Sequence, residues 1–283
     1  SHLLEHVPFV PTLREIHRVL KVGGTAEIYL PHTQRSYLIM HVAIRSAGDP
    51  RALIPAVRAV LRDVDPLKPA YGLPPLDDLI GVLEGREYVV KCAPGIDFDA
   101  VRRLGFDGEI EVTSWAGSVR EACLWSRGLS PSGVHRRASV LDTGEQFTDG
   151  EPDDCPVRPA GTWIVDPDGA VVRAGLVRQY AVRHGLWQLD ADIAYLSGDR
   201  LPPGIRGFEV LDTLPYHERR LRQALSDRGV GAVEILVRGL DVDPDVLRSR
   251  LRLRGSSQAT VILTRLGTGR AGRATAFICR PSR

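Results

Sequence analysis

Apolar residues in this chain alternate with polar ones over some short runs and return every three or four positions over others, so strands and helices interleave along it. The most informative run is Asp154 to Val177. Pro156 and Pro159 stiffen an extended lead-in, Thr162 to Val165 is a β-branched and aromatic strand, and Asp166-Pro-Asp-Gly169 is a turn with Pro at its second position. From Ala170 onward, Val171, Ala174, Val177, Ala181 and Val182 fall at helical spacing. That predicts one helix, closed where Gly185 offers a left-handed cap.

The same reading applied to the rest gives an alternating order. Pro11 to Leu20 is an amphipathic helix closed by Gly23-Gly24, Thr25 to Leu30 a strand, Leu38 to Arg45 a strand, and Ala52 to Leu61 an apolar-faced helix. Glu87 to Lys91 is a buried strand, and Asp97 caps a short helix. Glu109 to Trp115 and Val119 to Trp125 form an antiparallel pair around Ala116-Gly117. Ser126 to Glu151 is polar and broken by Ser130-Pro131-Ser-Gly133 and Asp142-Thr-Gly144, the pattern of a linker, within which Ala138 to Leu141 has the look of an edge strand. Strands follow at Gly207 to Leu211, Val233 to Val237, Thr260 to Leu266 and Thr275 to Arg280, with helices from Tyr216 and from Pro244, the latter capped by Asp243. The fold class is α/β.

Composition narrows the function classes. A chain of 283 residues with 43% hydrophobic and 25% charged residues can bury one large core or two ordinary ones. No run of about 18 apolar residues occurs, so no transmembrane helix is expected, and Ser1-His-Leu-Leu lacks the features of a signal peptide. The expected location is cytoplasmic. Cys92, Cys123, Cys155 and Cys279 are scattered without a C-x-x-C pair, which predicts free thiols and no zinc site. The formal net charge is only +2, but from His217 onward fourteen arginines stand against six carboxylates. Base-composition bias accounts for the use of Arg in place of Lys. It does not account for the basic C-terminal quarter.

The wording from Asp154 through Asp192-Ile-Ala-Tyr195-Leu-Ser-Gly198-Asp199 resembles the THUMP-like domain at the C-terminus of a class I S-adenosylmethionine-dependent methyltransferase family, and the resemblance runs from about Tyr71 to Arg283. It implies a Rossmann-like methyltransferase sheet, present in part, followed by a small α/β THUMP-like domain. S-adenosyl-L-methionine is then the implied cofactor and RNA the implied partner. The implied boundaries are a partial methyltransferase-like domain over 1–127, a linker over 128–153 and the THUMP-like domain over 154–283. Leu-Leu-Glu5-His6-Val, with the helix and strand after it, resembles the fourth strand, helix and fifth strand of class I methyltransferases. In those folds the acidic-His pair lies beside the substrate mouth, which makes Glu5 and His6 candidate catalytic residues. Residues 38–70, "HVAIRSAGDPRALIPAVRAVLRDVDP" within them, resemble instead a fragment of the extracytoplasmic domain of an ABC-exporter permease, so the stretch 31–70 reads as atypical. Asp65-Pro-Leu-Lys68 is the nearest text to the family's Asp-Pro-x-Arg catalytic segment, which adds Asp65 as a candidate. The Gly-rich cofactor turn and the acidic ribose-binding residue of that family find no counterpart, so the chain is expected to be truncated and to bind the cofactor weakly or not at all. A non-catalytic RNA-binding module is the competing expectation.

Several patterns carry two readings. His2-Leu-Leu-Glu5-His6 fits H-x-x-E-H, but it sits in a strand-then-loop context without a third ligand, and no metal is expected. Gly267-Thr-Gly269-Arg-Ala-Gly272 fits G-x-G-x-x-G, but a strand and not a helix follows, which favours a glycine-rich hairpin; Arg270 and Arg273 in it are candidates to meet phosphate. Arg158, Arg173 and Arg178 either grip phosphate through their guanidinium forks or pair with Asp154, Asp166 or Asp168. Trp163, Trp187 and Tyr195 either stack bases or anchor the core.

Overall fold

A computed structural model describes residues 25–34 and 36–45 as backbone, and 87–267 and 272–282 in full. The described residues divide into two compact units: one holds those up to Gly150 together with Gly169–Leu176, the other those of Glu151–Asp168 and from Val177 onward.

Unit 1 is built on a seven-stranded sheet. Its strands are β1 (Thr25–Gln34), β2 (Ser36–Arg45), β3 (Glu87–Cys92), β4 (Glu109–Trp115), β5 (Ser118–Trp125), β6 (Arg136–Val140) and β7 (Glu145–Thr148), in the order β1-β2-β3-β5-β4-β6-β7. Only β4 and β6 are parallel neighbours. β1 and β2 pair from Thr25↔Arg45 to Gln34↔Ser36, and β2 pairs with β3, so the strand that reads as foreign is a member of this sheet. β6 and β7 lie in the stretch that reads as a linker and extend the sheet beyond β4. At Ala116-Gly117 both φ angles are positive, 52° and 69°, the backbone that twists correctly between two antiparallel strands. Asp142 Oδ2 accepts from the Ala116 N–H at 2.5 Å and holds a non-glycine residue there.

Alternation sends Ile110 to the face of β4 where it meets Leu124, Val90, Tyr88 and Cys92 of the neighbouring strands. Helix α1 (Phe98–Arg103) closes over this face through Val101, and Asp97 caps it by accepting from Ala100 N at 3.0 Å. Helix α2 (Gly169–Arg173), with Ala170 and Val171 buried, packs on β4, β5 and β6. Complete burial of side chains such as Val90, Val112 and Leu124 contributes roughly 1.5–3 kcal/mol apiece.

The single helix expected from Ala170 to Val182 is two. Gly175, at φ +69°, ends α2, with Leu176 N bonding to Val171 O at 3.0 Å and Gly175 N to Val172 O at 3.1 Å. Helix α3 (Val177–His184) then ends in the same way, Gly185 at φ +65° with Leu186 N on Ala181 O at 2.8 Å. The break coincides with the division of the chain, α2 belonging to unit 1 and α3 to unit 2.

Unit 2 has its own seven-stranded sheet, ordered β12-β13-β14-β11-β8-β10-β9. These are β8 (Trp163–Val165), β9 (Trp187–Asp190), β10 (Ile193–Gly198), β11 (Gly207–Pro215), β12 (Val230–Arg238), β13 (Ser257–Leu266) and β14 (Arg273–Pro281), with β12 and β13 parallel. Helices α4 (Glu218–Asp227) and α5 (Pro244–Leu251) cover one face. Period-two alternation gives the sheet two cores. Val261 and Leu263 face Leu221, Leu225, Leu247 and Leu251 of the helices, while Ile262 between them faces Ile164, Tyr195, Phe208 and Phe277. Asp243 caps α5 as its sequence predicts, accepting from Asp245 N at 2.8 Å and Val246 N at 3.1 Å. Where β12 begins, a Cβ on Gly231 would lie 1.7 Å from Gly255 O, so that crossing of two backbones admits only glycine.

Candidate nucleic-acid interface

Apart from Gly169–Leu176, which belongs to unit 1, the run from Asp154 to Asp199 folds back on itself in unit 2. Its Pro-rich lead-in lies beside β9: Gln188 N donates to Pro156 O and Arg158 N to Gln188 O, both at 3.0 Å. Trp187 Nε1 donates to Pro159 O at 2.9 Å, and the Arg158 guanidinium lies 5.7 Å from the Trp187 ring centroid, within cation–π reach. Ser197 Oγ accepts from Gly161 N at 2.9 Å and donates to Trp163 O at 2.6 Å. A Cβ on Gly161 would stand 2.8 Å from both Asp199 Oδ1 and Trp187 Cζ2, so this glycine lets the lead-in close on β10.

After β8 the Asp166 carboxylate meets Arg238 at the end of β12, Oδ1 to Nη2 2.7 Å, and the same guanidinium lies 5.2 Å from the Tyr195 ring. Burial pushes the Asp166 carboxyl above its ordinary value even against the Arg238 charge, and burial pushes the Tyr195 phenol up as well. With 1% of its surface exposed, Tyr195 is a core anchor and takes no part in stacking a base. Arg206 adds a second pair, both nitrogen–oxygen contacts to Glu234 at 2.8 Å, and Thr260 Oγ1 donates to the same carboxylate at 2.9 Å. These are the bonds of a folded interior and its rim.

A methyl-donor site of the methyltransferase kind needs a strand-to-helix turn whose amides and missing side chains let a cofactor approach. Among the described residues of unit 1 the one strand-turn-helix passage of that shape is β3–Ala93-Pro-Gly-Ile-Asp97–α1, and it does not fit. Asp97 occupies the first turn of α1 by accepting from Ala100 N, and the turn's carbonyls at Pro94 and Ile96 are held by the Arg173 guanidinium. Gly108, elsewhere in the unit, faces Trp125 O, which a Cβ would approach to 1.9 Å, so its open side is filled by the protein itself.

Comparison with known proteins gives the chain its relatives. Residues 205–281, all within unit 2, match the family model described as THUMP domain-like. An uncharacterized S-adenosylmethionine-dependent methyltransferase of Mycobacterium tuberculosis strain CDC 1551 / Oshkosh is 62% identical over 258 residues, which cover 91% of this chain and 68% of that protein. Its counterpart in strain ATCC 25618 / H37Rv matches equally. The chain belongs to the S-adenosylmethionine-dependent methyltransferase family. The crystal structure of a protein assigned as a methyltransferase from Porphyromonas gingivalis W83 superposes with a TM-score of 0.55 at 20% identity, covering 69% of this chain and 51% of that one, a likeness of fold. The expected α/β class, a methyltransferase sheet followed by a THUMP-like unit, holds.

Within this family member the candidate residues scatter. Glu5, His6, Asp65 and Arg270 lie outside the described residues. Arg173 sits in unit 1, its Nε donating to Pro94 O at 2.6 Å, its Nη2 to Ile96 O, and its guanidinium 4.0 Å from the Phe98 ring centroid. The groups around the Arg173 guanidinium are two carbonyls and a ring. Arg178 donates to Asp153 O at 2.9 Å and pairs with that carboxylate at 3.8 Å. Arg158 and Arg273 are exposed. Among the described residues no His, Cys, Asp and Glu cluster is arranged to hold a metal ion, and no helix is long and apolar enough to cross a membrane. All four cysteines are free and buried.

The arginines that the motif reading passed over are on the helices of unit 2. Arg219, Arg220 and Arg222 of α4, and Arg252 and Arg254 just past α5, are exposed. Their signal was periodic: Leu221, Leu225, Leu247 and Leu251 face inward, which leaves the intervening arginines on the outside.

Proposed function

We propose that the protein is an S-adenosylmethionine-dependent methyltransferase whose substrate is RNA, with unit 2 as the part that holds the RNA. The observation that carries this reading is the coincidence of three things in one unit: the THUMP-like match over 205–281, a compact body with its own sheet, and the excess of arginine over carboxylate from His217 onward. Arginine forks suit phosphate oxygens, and neutralised phosphates release counterions, so such a surface supplies affinity without sequence choice. The expected place of work is the cytoplasm. Glu5, His6 and Asp65 stand as the residues to vary for the chemical step, and 154–283 as the extent of the RNA-binding domain.

A second reading has one observation in its favour. Among the described residues the β3–α1 turn is filled by Arg173 and Asp97, which favours a chain that binds RNA without catalysing methyl transfer. One pair of measurements separates the two: calorimetric titration with S-adenosylmethionine and S-adenosylhomocysteine, and transfer of a radiolabelled methyl group to total RNA. Stoichiometric micromolar binding with label in RNA supports the enzyme. A folded sample that gives no heat and no label but still binds RNA leaves the binding module.

A further inference from the structure

The arginines of unit 2 are unevenly committed. Arg206, Arg228, Arg238 and Arg280 each meet a carboxylate, on Glu234, Asp212, Asp166 and Glu209 respectively. Arg219, Arg220, Arg222, Arg252 and Arg254 meet none among the described residues, and all five are exposed.

The helical layer brings these five together. α4 and α5 bury their leucines in one cluster on the same face of the sheet, and Arg250 in the last turn of α5 reaches Glu218 in the first turn of α4 at 3.8 Å. The start of α4 and the end of α5 are therefore neighbours. Arg219 and Arg220 follow Glu218 directly, and Arg252 and Arg254 follow Arg250, so one carboxylate stands among several guanidiniums.

Charge placement on α4 is mixed: Glu218 in the first turn and Arg228 at the C-cap, which donates to Ala224 O at 3.0 Å, suit the helix, whereas Arg219, Arg220 and Arg222 near its start do not. The N-terminus of a helix is its positive end, where acidic groups stabilise and basic groups do the opposite. α4 has Arg219, Arg220 and Arg222 near that end and no basic residue in its last turn. α5 has the favourable order, Asp245 first and Arg248 and Arg250 last. Folding explains the arginines at the end of α5. It does not explain those at the start of α4, which suggests an external anion.

Resting on the RNA reading above, we infer that the outer face of α4 and the end of α5 are the surface on which RNA phosphates dock, and that the arginines of the 154–199 run are not. Arg173 and Arg178 are held by Pro94, Ile96 and Asp153, and Arg158 lies over Trp187, whereas the five helical arginines are free to meet phosphate.

The test uses the full chain and unfractionated transfer RNA as probe, with fluorescence anisotropy read across a salt series. A variant carrying Arg219→Gln, Arg220→Gln, Arg222→Gln, Arg252→Gln and Arg254→Gln is compared with one carrying Arg158→Gln and Arg178→Gln. The inference expects the first to bind at least about 10-fold more weakly near 0.1 M salt and to lower the log–log salt slope by about 2 or more, as lost phosphate contacts require. The second is expected to stay within about 2-fold, since it leaves that surface intact. Circular dichroism should show both folded, the first with a thermal midpoint at or above that of the unaltered chain. If the unaltered chain binds RNA and the five-site variant binds equally well, the docking surface is wrong while the RNA reading stands. If the unaltered chain does not bind, both fall. Equal binding to polyglutamate would overturn the inference too, because the surface would then answer to acidic protein as readily as to RNA.

Discussion

Arg173 Nε donates to the carbonyl of Pro94 at 2.6 Å, seventy-nine positions away in sequence, and its guanidinium lies against Phe98 with 4.0 Å to the ring centroid. A residue of α2 thus fastens the turn that leads into α1, with a charged fork satisfying two carbonyls that the turn leaves unpaired. Arg173→Lys keeps the charge but loses the fork and the stacked plane. It is expected to destabilise unit 1 by about 1.5–3 kcal/mol, the range for hydrogen bonds made by a charged group, and to leave RNA affinity unchanged. Denaturant unfolding followed by the same transfer RNA titration checks both halves; lost affinity in a fully folded variant would return Arg173 to the binding surface.

Asp166 and Arg238 set a pH dependence. Burial raises the Asp166 carboxyl above its ordinary value, and the Arg238 charge, the first opposing cause, holds the rise down. A group whose folded-state pKa is raised binds its proton more tightly folded than unfolded. It therefore subtracts from stability at neutral pH, and the subtraction is relieved as pH falls through the folded value toward the ordinary one. Arg238→Met removes the opposing charge and enlarges that subtraction. The variant should be less stable than the parent by about 1–3 kcal/mol at neutral pH, with the gap narrowing below about pH 4, where the carboxyl is protonated in both states. Urea midpoints at the two pH values decide it, and a gap that widens in acid would contradict the argument.

The thiols make a simpler prediction. Burial pushes Cys92, Cys123 and Cys279 up to about 12, and Cys155 is raised for the same reason. The thiolate is the reactive form, so an aromatic disulfide reagent near pH 8 is expected to label none of the four in the native chain and all four once it is unfolded. Rapid labelling of the native chain would mean that one of these strands opens to solvent.

What was legible in the sequence was what is local. Asp97 and Asp243 announce their helices because a capping carboxylate acts on amides two and three residues away. Ala116-Gly117 announces its turn for a similar reason. Gly175 carried the same message as Gly185, each followed by leucine and each closing a helix, but the apolar spacing ran on through it and made two helices look like one. Strand pairing is not local, so the wording of 36–45 and of 138–141 offers strands without saying that they join the sheet of β3, β4 and β5. The candidate interface depends on side-chain partners, which are not local either. Motif reading weighed arginines by the distinctiveness of the words around them, and Arg173 and Arg178, in the most distinctive run, turn out to be held by carbonyls and a carboxylate.

The start of α4 offers a trade between stability and binding. Arg219 and Arg220 stand at the positive end of their helix with no carboxylate partner among the described residues, so replacing them with glutamate should favour the fold. Each change is expected to add about 0.3–1 kcal/mol at low salt, less as salt screens the dipole. The same Arg219→Glu and Arg220→Glu changes place repulsive charge on the proposed docking surface and should weaken transfer RNA binding by more than the glutamine changes do. Thermal unfolding and anisotropy on one preparation read the two effects together. A higher midpoint with lower affinity is what a surface kept for its partner predicts. A fall in both would show that these arginines serve the fold of unit 2 itself, through contacts that a helix dipole does not capture.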